Sequence, residues 1–174
     1  MKKKVLSVTM LAMVSWMGKT AAQSPATATA NVSATVAAPV SLLRITGSLS
    51  FGPIAPSGTA GAVMLAPNGT RSFAGGVSAL PGPGTVNAAV FQVTGESGYS
   101  YAITLPVSVP MINTTSGGHE VLLATNFVSN PSGTGVLTGG VQTLLVGATL
   151  QLTAQAVPGV YSTATPFTVT VNYN

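Results

Sequence analysis

The chain has no cysteine and no aspartate, a single histidine (His119), and only two acidic residues, Glu96 and Glu120. Without cysteine there is no disulfide framework, so stability must come from core burial and strand pairing. Without aspartate or a nucleophilic thiol, neither a Ser-His-Asp triad nor a Cys-His pair can be assembled in full. A metal site normally needs three or four ligands, and His119-Glu120, following Gly117-Gly118, reads as a solvated loop. The two glutamates both flank glycine-rich turns, a poor setting for a pair of glycosidase carboxylates. No stretch matches a phosphate-binding G-x-x-x-x-G-K-[ST] loop, a G-x-G-x-x-G turn or a G-x-S-x-G elbow. These absences leave no catalytic constellation, and the sequence predicts a protein that is not an enzyme and uses neither cofactor nor metal.

Charge is scarce too, and what there is lies mostly at one end. Lys2, Lys3 and Lys4 precede the apolar stretch Val5 to Met17, and Thr20-Ala21-Ala22 supplies small residues. This is the pattern of an export signal cleaved after Ala22. The apolar stretch falls short of the ~20 residues that span a bilayer, and no later segment reaches that length, so no membrane span is expected in the mature chain. Once residues 1–22 are removed, only Arg44, Arg71, Glu96 and Glu120 carry charge and the net charge is zero. The pI of about 9.8 therefore belongs to the precursor. Two isolated arginines cannot form a nucleic-acid surface, which needs clustered cations. A surface so poor in charge favours association.

What the chain does have is alternation. Phe167, Val169, Val171 and Tyr173 alternate with polar residues to the last position, and Ala28, Ala30, Val32, Ala34 and Val36 do the same near the start. Successive strand side chains point to opposite faces, so each run has one apolar edge and one polar edge. Between them, short alternating runs recur: Val40 to Ile45, Ala62 to Ala66, Val86 to Thr94, Tyr99 to Leu105, Val121 to Val128, Val141 to Val146 and Thr149 to Ala154. Turn clusters separate them, among them Pro67-Asn68-Gly69-Thr70, Pro81-Gly82-Pro83-Gly84, Asn130-Pro131-Ser132-Gly133, Gly139-Gly140 and Gly147. Pro106 and Pro110 mark an edge or crossover. No helical periodicity follows the leader. The reading is an all-β, antiparallel, immunoglobulin-like sandwich, with a leader at 1–22, an N-terminal extension at 23–38 and one domain at 39–174. Tyr99 and Tyr101, two apart on a strand, would share a face, as core packing or as a platform for a sugar ring.

Several segments together resemble an exported bacterial family known as domain of unknown function 4402. They are Leu49-Ser50-Phe51-Gly52-Pro53-Ile54, Leu65-Ala66-Pro67-Asn68-Gly69-Thr70, Phe91-Gln92-Val93-Thr94-Gly95, Ile103-Thr104-Leu105-Pro106, Val146-Gly147-Ala148-Thr149-Leu150 and Gly159-Val160-Tyr161 to Tyr173. That resemblance implies no biochemical activity. The final segment, from Gly159 and Tyr161 to the penultimate Tyr173, also resembles the spore coat protein U and chaperone-usher pilin families. This narrower resemblance implies a sandwich that lacks one strand, filled first by a periplasmic chaperone and then by the next subunit's extension, with an outer-membrane usher assembling the polymer. Many such subunits carry a disulfide, which this chain cannot.

Strand addition also follows from physics alone. An unfilled sheet edge exposes N–H and C=O groups beside apolar pockets, and an added strand satisfies both. Ala28, Ala30, Val32, Ala34 and Val36 are the candidate donor side chains, and Phe167, Val169, Val171 and Tyr173 the candidate groove. Period-2 alternation leaves three alternatives open for residues 26–37: exchange between subunits, pairing within the chain, or a linker. The functional expectation is a structural subunit of a fimbria-like or coat-like surface assembly. It would pass through the periplasm to the cell surface and associate with itself or a related subunit. The alternative is a monomeric secreted or cell-envelope binding module, for carbohydrate among other ligands.

Overall fold

The computed structural model describes residues 25–115 and 120–174. The expected leader and His119 lie outside the described residues. The chain divides into two units, Met1–Thr35 and Val36–Asn174. In the first, the described residues 25–35 form no strand and are exposed throughout.

The second unit is all-β and antiparallel, as the turn spacing predicts. In chain order its strands are β1 (Ser41–Thr46), β2 (Ser50–Phe51), β3 (Ile54–Leu65), β4 (Arg71–Ala79), β5 (Val86–Asn87), β6 (Ala89–Thr94) and β7 (Ser100–Thr104). They continue with β8 (Ser108–Asn113), β9 (Val121–Asn130), β10 (Thr134–Val136), β11 (Val141–Leu152), β12 (Tyr161–Ser162) and β13 (Thr170–Tyr173). An eight-stranded sheet runs β1-β6-β11-β9-β8-β12, with the β3–β4 hairpin joined to β11. A three-stranded sheet, β10-β7-β13, lies against it, and β2 pairs with β5.

Alternation explains which face each strand buries. In β9, Leu122 and Ala124 are buried while Val121 and Leu123 are exposed, the pattern of a sheet with one face on a core. The core has two clusters. One joins β3, β9 and β11 through Val63, Leu65, Leu122 and Leu150. The other joins β6 and β11 to β7 through Val93, Leu144, Val146 and Tyr101. Leu49, Phe127 and Phe167 touch both. Burying each such aliphatic side chain stabilises the fold by about 1.5–3 kcal/mol before chain entropy is charged against it.

Two turns form as their residues require. Asn68 Oδ1 accepts from the Thr70 N–H at 3.0 Å, and Gly69 has φ 83° in the β3–β4 turn. Thr138 and Val141 bridge across Gly139-Gly140.

The structure differs from the sequence expectation in four places. Gly147 does not end a strand: β11 runs through it. There β11 changes partner, pairing with β6 through Val146 and with β3 from Ala148. A Cβ at Gly147 would collide with the Leu65 carbonyl, so the close approach of β3 requires glycine. The run Val86 to Thr94 is split at Ala88, and its first two residues pair with β2 instead. The first half of β3 and all of β4 are strands that their Ala, Gly, Ser and Thr content concealed. Finally, the terminal strand begins at Thr170 rather than Phe167. The β13–β7 register sets Thr170 opposite Thr104, which would place Thr168 opposite Pro106. Proline has no N–H to give, and the ladder stops. Pro110 itself lies within β8, whose outer edge β12 covers only at Ile112 and Asn113.

Candidate functional site at the terminal strand edge

β13 ends its sheet. It pairs with β7 from Thr170↔Thr104 to Tyr173↔Tyr101, and no other strand among the described residues flanks it. The Asn174 N–H donates to the Ser100 carbonyl at 3.3 Å. Because hydrogen-bonded residues alternate along an antiparallel ladder, Asn172 and Thr170 face β7, and the backbone groups of Val171 and Tyr173 face the open edge. The side chains keep their alternation even beyond the strand. Val169 is buried, and Phe167, Val171 and Tyr173 are half-buried on the same core cluster, while Thr168, Thr170 and Asn172 face solvent. All four residues expected to line an apolar groove thus belong to one inward-facing row.

Tyr173 and Glu96 hold Ala38. Its hydroxyl accepts the Glu96 N–H at 2.7 Å and donates to the Ala38 carbonyl at 2.8 Å. The Glu96 carboxylate accepts the Ala38 N–H at 3.1 Å. Both polar groups of Ala38 are therefore held, one by each side chain. The Tyr173 ring meets Tyr99 edge-on at 5.8 Å. Gly95 makes room for this: a Cβ there would overlap the Tyr173 hydroxyl. Just upstream, Val32 and Val36 are 97% and 92% exposed. The candidate donor residues Ala28, Ala30 and Ala34 are likewise exposed and outside any strand.

Tyr101 differs from Tyr99 in burial. It is fully buried, its hydroxyl donating to Gln142 Oε1 at 2.8 Å, and burial raises its pKa above the ordinary tyrosine value. Tyr99 precedes β7 and is 45% exposed. Tyr173, opposite Tyr101 in the ladder, also meets the Tyr99 ring, so of the two tyrosines Tyr101 is core packing and only the Tyr99 ring is accessible. Among the described residues no group of three or more His, Cys, Asp or Glu side chains comes together.

A second feature had no signal in the sequence. Between the end of β1 and residues 161–167 lies a cavity of about 510 Å³. Phe167 lines it and meets Phe91 edge-on at 6.4 Å and Phe127 tilted at 5.3 Å. Arg44 lines its wall, brought there by the β1–β6 register that sets Arg44 opposite Phe91. Arg71, the other arginine, is engaged: it donates to the Phe51 and Pro53 carbonyls and lies 4.9 Å from the Phe73 ring centre.

Residues 43–173 match the family described as domain of unknown function (DUF4402), and the chain belongs to it. No curated protein and no solved structure matches the chain.

Proposed function

We propose that the protein is a non-enzymatic, exported structural subunit that polymerises by strand addition. The extension at 23–38 of one copy pairs with the open edge of β13 on the next, building a fimbria-like or coat-like assembly at the cell surface. The observation that carries this reading is the pairing of opposites within one chain. One end is a strand edge whose Val171 and Tyr173 backbone groups have no partner strand among the described residues. The other is an alternating segment that forms no strand. Adding a strand satisfies the edge and buries the alternate residues Ala28, Ala30, Val32, Ala34 and Val36. These side chains are small, so main-chain hydrogen bonds supply much of the affinity. The near absence of charge suits a surface that ends inside a polymer. A periplasmic chaperone would cover the edge during export, and an outer-membrane usher would exchange it for the next extension.

The test is electrophoresis and gel filtration of the protein after removal of residues 1–22. Heat-sensitive ladders that vanish when residues 23–37 are deleted support assembly. A stable monomer whose residues 23–38 resist protease favours the second reading, a monomeric envelope binding module, for which the cavity lined by Phe167 is the supporting observation.

A further inference from the structure

We propose that the cavity lined by Phe167 is a binding site for an elongated apolar molecule with an anionic head, a medium-chain monocarboxylate being the simplest member of that class. None of its lining residues belongs to β13, so the inference does not rest on the assembly reading.

Three observations lead there. The first is space. A partly open cavity of about 510 Å³ is the size of a small-molecule site, for which the common range is roughly 300–1,000 Å³. The second is the lining. Phe91, Phe127, Phe167, Met111, Val109 and Leu49 make the wall mainly apolar, suited to a hydrocarbon chain.

The third is Arg44. It is the one charged residue in the wall, its side chain is exposed to solvent, and it makes no hydrogen bond or ion pair among the described residues. Its position on β1 belongs to the inward row, where Leu42 packs on the core and β6 contributes Phe91 and Val93. A guanidinium placed there has five donors and a full charge to offer, in the planar geometry that grips a carboxylate through two parallel hydrogen bonds. The chain has no acid to answer it: Glu96 is engaged at Ala38, and Glu120 follows the β8–β9 loop. Residues 23–37 contain no acidic residue at all, and their alternating side chains are only alanine and valine. A second copy's extension would therefore bring no anion to the arginine. An amphiphile supplies one, with its head at the exposed Arg44 and its tail against Phe167 and the other apolar lining residues. Ser48, Ser162 and Thr163 in the wall add hydroxyls for the head.

Calorimetric titration of the full protein with dodecanoate, and in parallel with dodecanol, tests this. Saturable dodecanoate binding at one site per chain is expected, with dodecanol about tenfold weaker or more, because it lacks the charge-assisted contact. Arg44→Gln should lower dodecanoate affinity by a similar factor and leave dodecanol unchanged. Ala124→Phe, which fills the cavity, should abolish binding of both while the protein still unfolds cooperatively. A milder filling change, Ala89→Val, should weaken both ligands and stands in if the phenylalanine prevents folding. No saturable binding, or dodecanoate affinity indifferent to both Arg44→Gln and the filling substitutions, would overturn the proposal. Binding that appears only after residues 23–37 are deleted would identify the extension as the occupant and overturn it too.

Discussion

The Tyr173 hydroxyl reaches across 135 positions of sequence to donate to the carbonyl of Ala38 at 2.8 Å. The same oxygen accepts the Glu96 N–H, so one atom ties the last strand, the β6–β7 turn and the base of the N-terminal segment together. This junction fixes Ala38 beside the last strand.

Tyr173→Phe keeps the ring and removes both hydrogen bonds. The expected cost is about 1–2 kcal/mol of stability, with faster amide exchange at residues 36–38. Gly95→Ala attacks the same point from the other side, since its Cβ would overlap the hydroxyl, and should cost about 1–3 kcal/mol. In the double variant the collision is partly relieved, so the two effects should sum to more than the measured loss. Strict additivity in urea unfolding would show that Gly95 serves some purpose other than accommodating that oxygen.

Val32→Asp and Val171→Asp separate assembly from folding. Val32 is 97% exposed, so aspartate there should change monomer stability by less than about 0.5 kcal/mol. It should nevertheless abolish oligomer ladders, because strand addition would bury an unpaired charge. Val171 already packs on the core, so Val171→Asp should lower the unfolding midpoint and block assembly together. Normal ladders from Val32→Asp would remove that side chain from the contact.

Alternation made the strands with one dry face legible: β9 and the row from Phe167 to Tyr173 follow from period 2, whereas β11 reads as two runs because Gly147 interrupts its rhythm. The turn of the β3–β4 hairpin was legible but the rest of its pairing was not, because it depends on small residues with no apolar rhythm, such as Gly61 against Gly75 and Ala62 against Ala74. The strand break at Phe167 needed the register, which sets Pro106 in the way. The candidate edge was visible as a pattern, whereas the Ala38, Glu96 and Tyr173 junction joins positions too far apart for any spacing to announce. Arg44 stood out as one of two arginines, but only its place opposite Phe91 gives it a cavity to face.

Tyr101 makes alkaline stability a readable quantity. Burial raises its pKa in the folded protein above the unfolded value of about 10. The folded state thus holds the phenolic proton more tightly. This contribution is complete below about pH 10 and is lost as pH rises through the folded value. Melting temperature should fall on that limb in the wild type and fall less in Tyr101→Phe. At neutral pH the same substitution strands Gln142 Oε1 and should cost about 1–2 kcal/mol. An alkaline limb unchanged by Tyr101→Phe would assign the loss to other groups.

Two glycines with opposite surroundings test the account of β11. At Gly147 an added Cβ meets the Leu65 carbonyl, a backbone atom that cannot rotate away. Gly147→Ala must push β3 off β11 next to the Ala148↔Leu65 pair, and should cost about 3 kcal/mol, the upper end for overpacking. Gly58, at the irregular stretch of β3, has nothing within 4 Å of a built Cβ. Alanine there narrows the unfolded ensemble without a collision, so Gly58→Ala should be neutral or stabilise by up to roughly 1 kcal/mol. Both should shift the urea midpoint at unchanged slope. If Gly147→Ala were as mild as Gly58→Ala, β3 would not approach β11 closely enough to require glycine, and the partner change at that residue would need another cause.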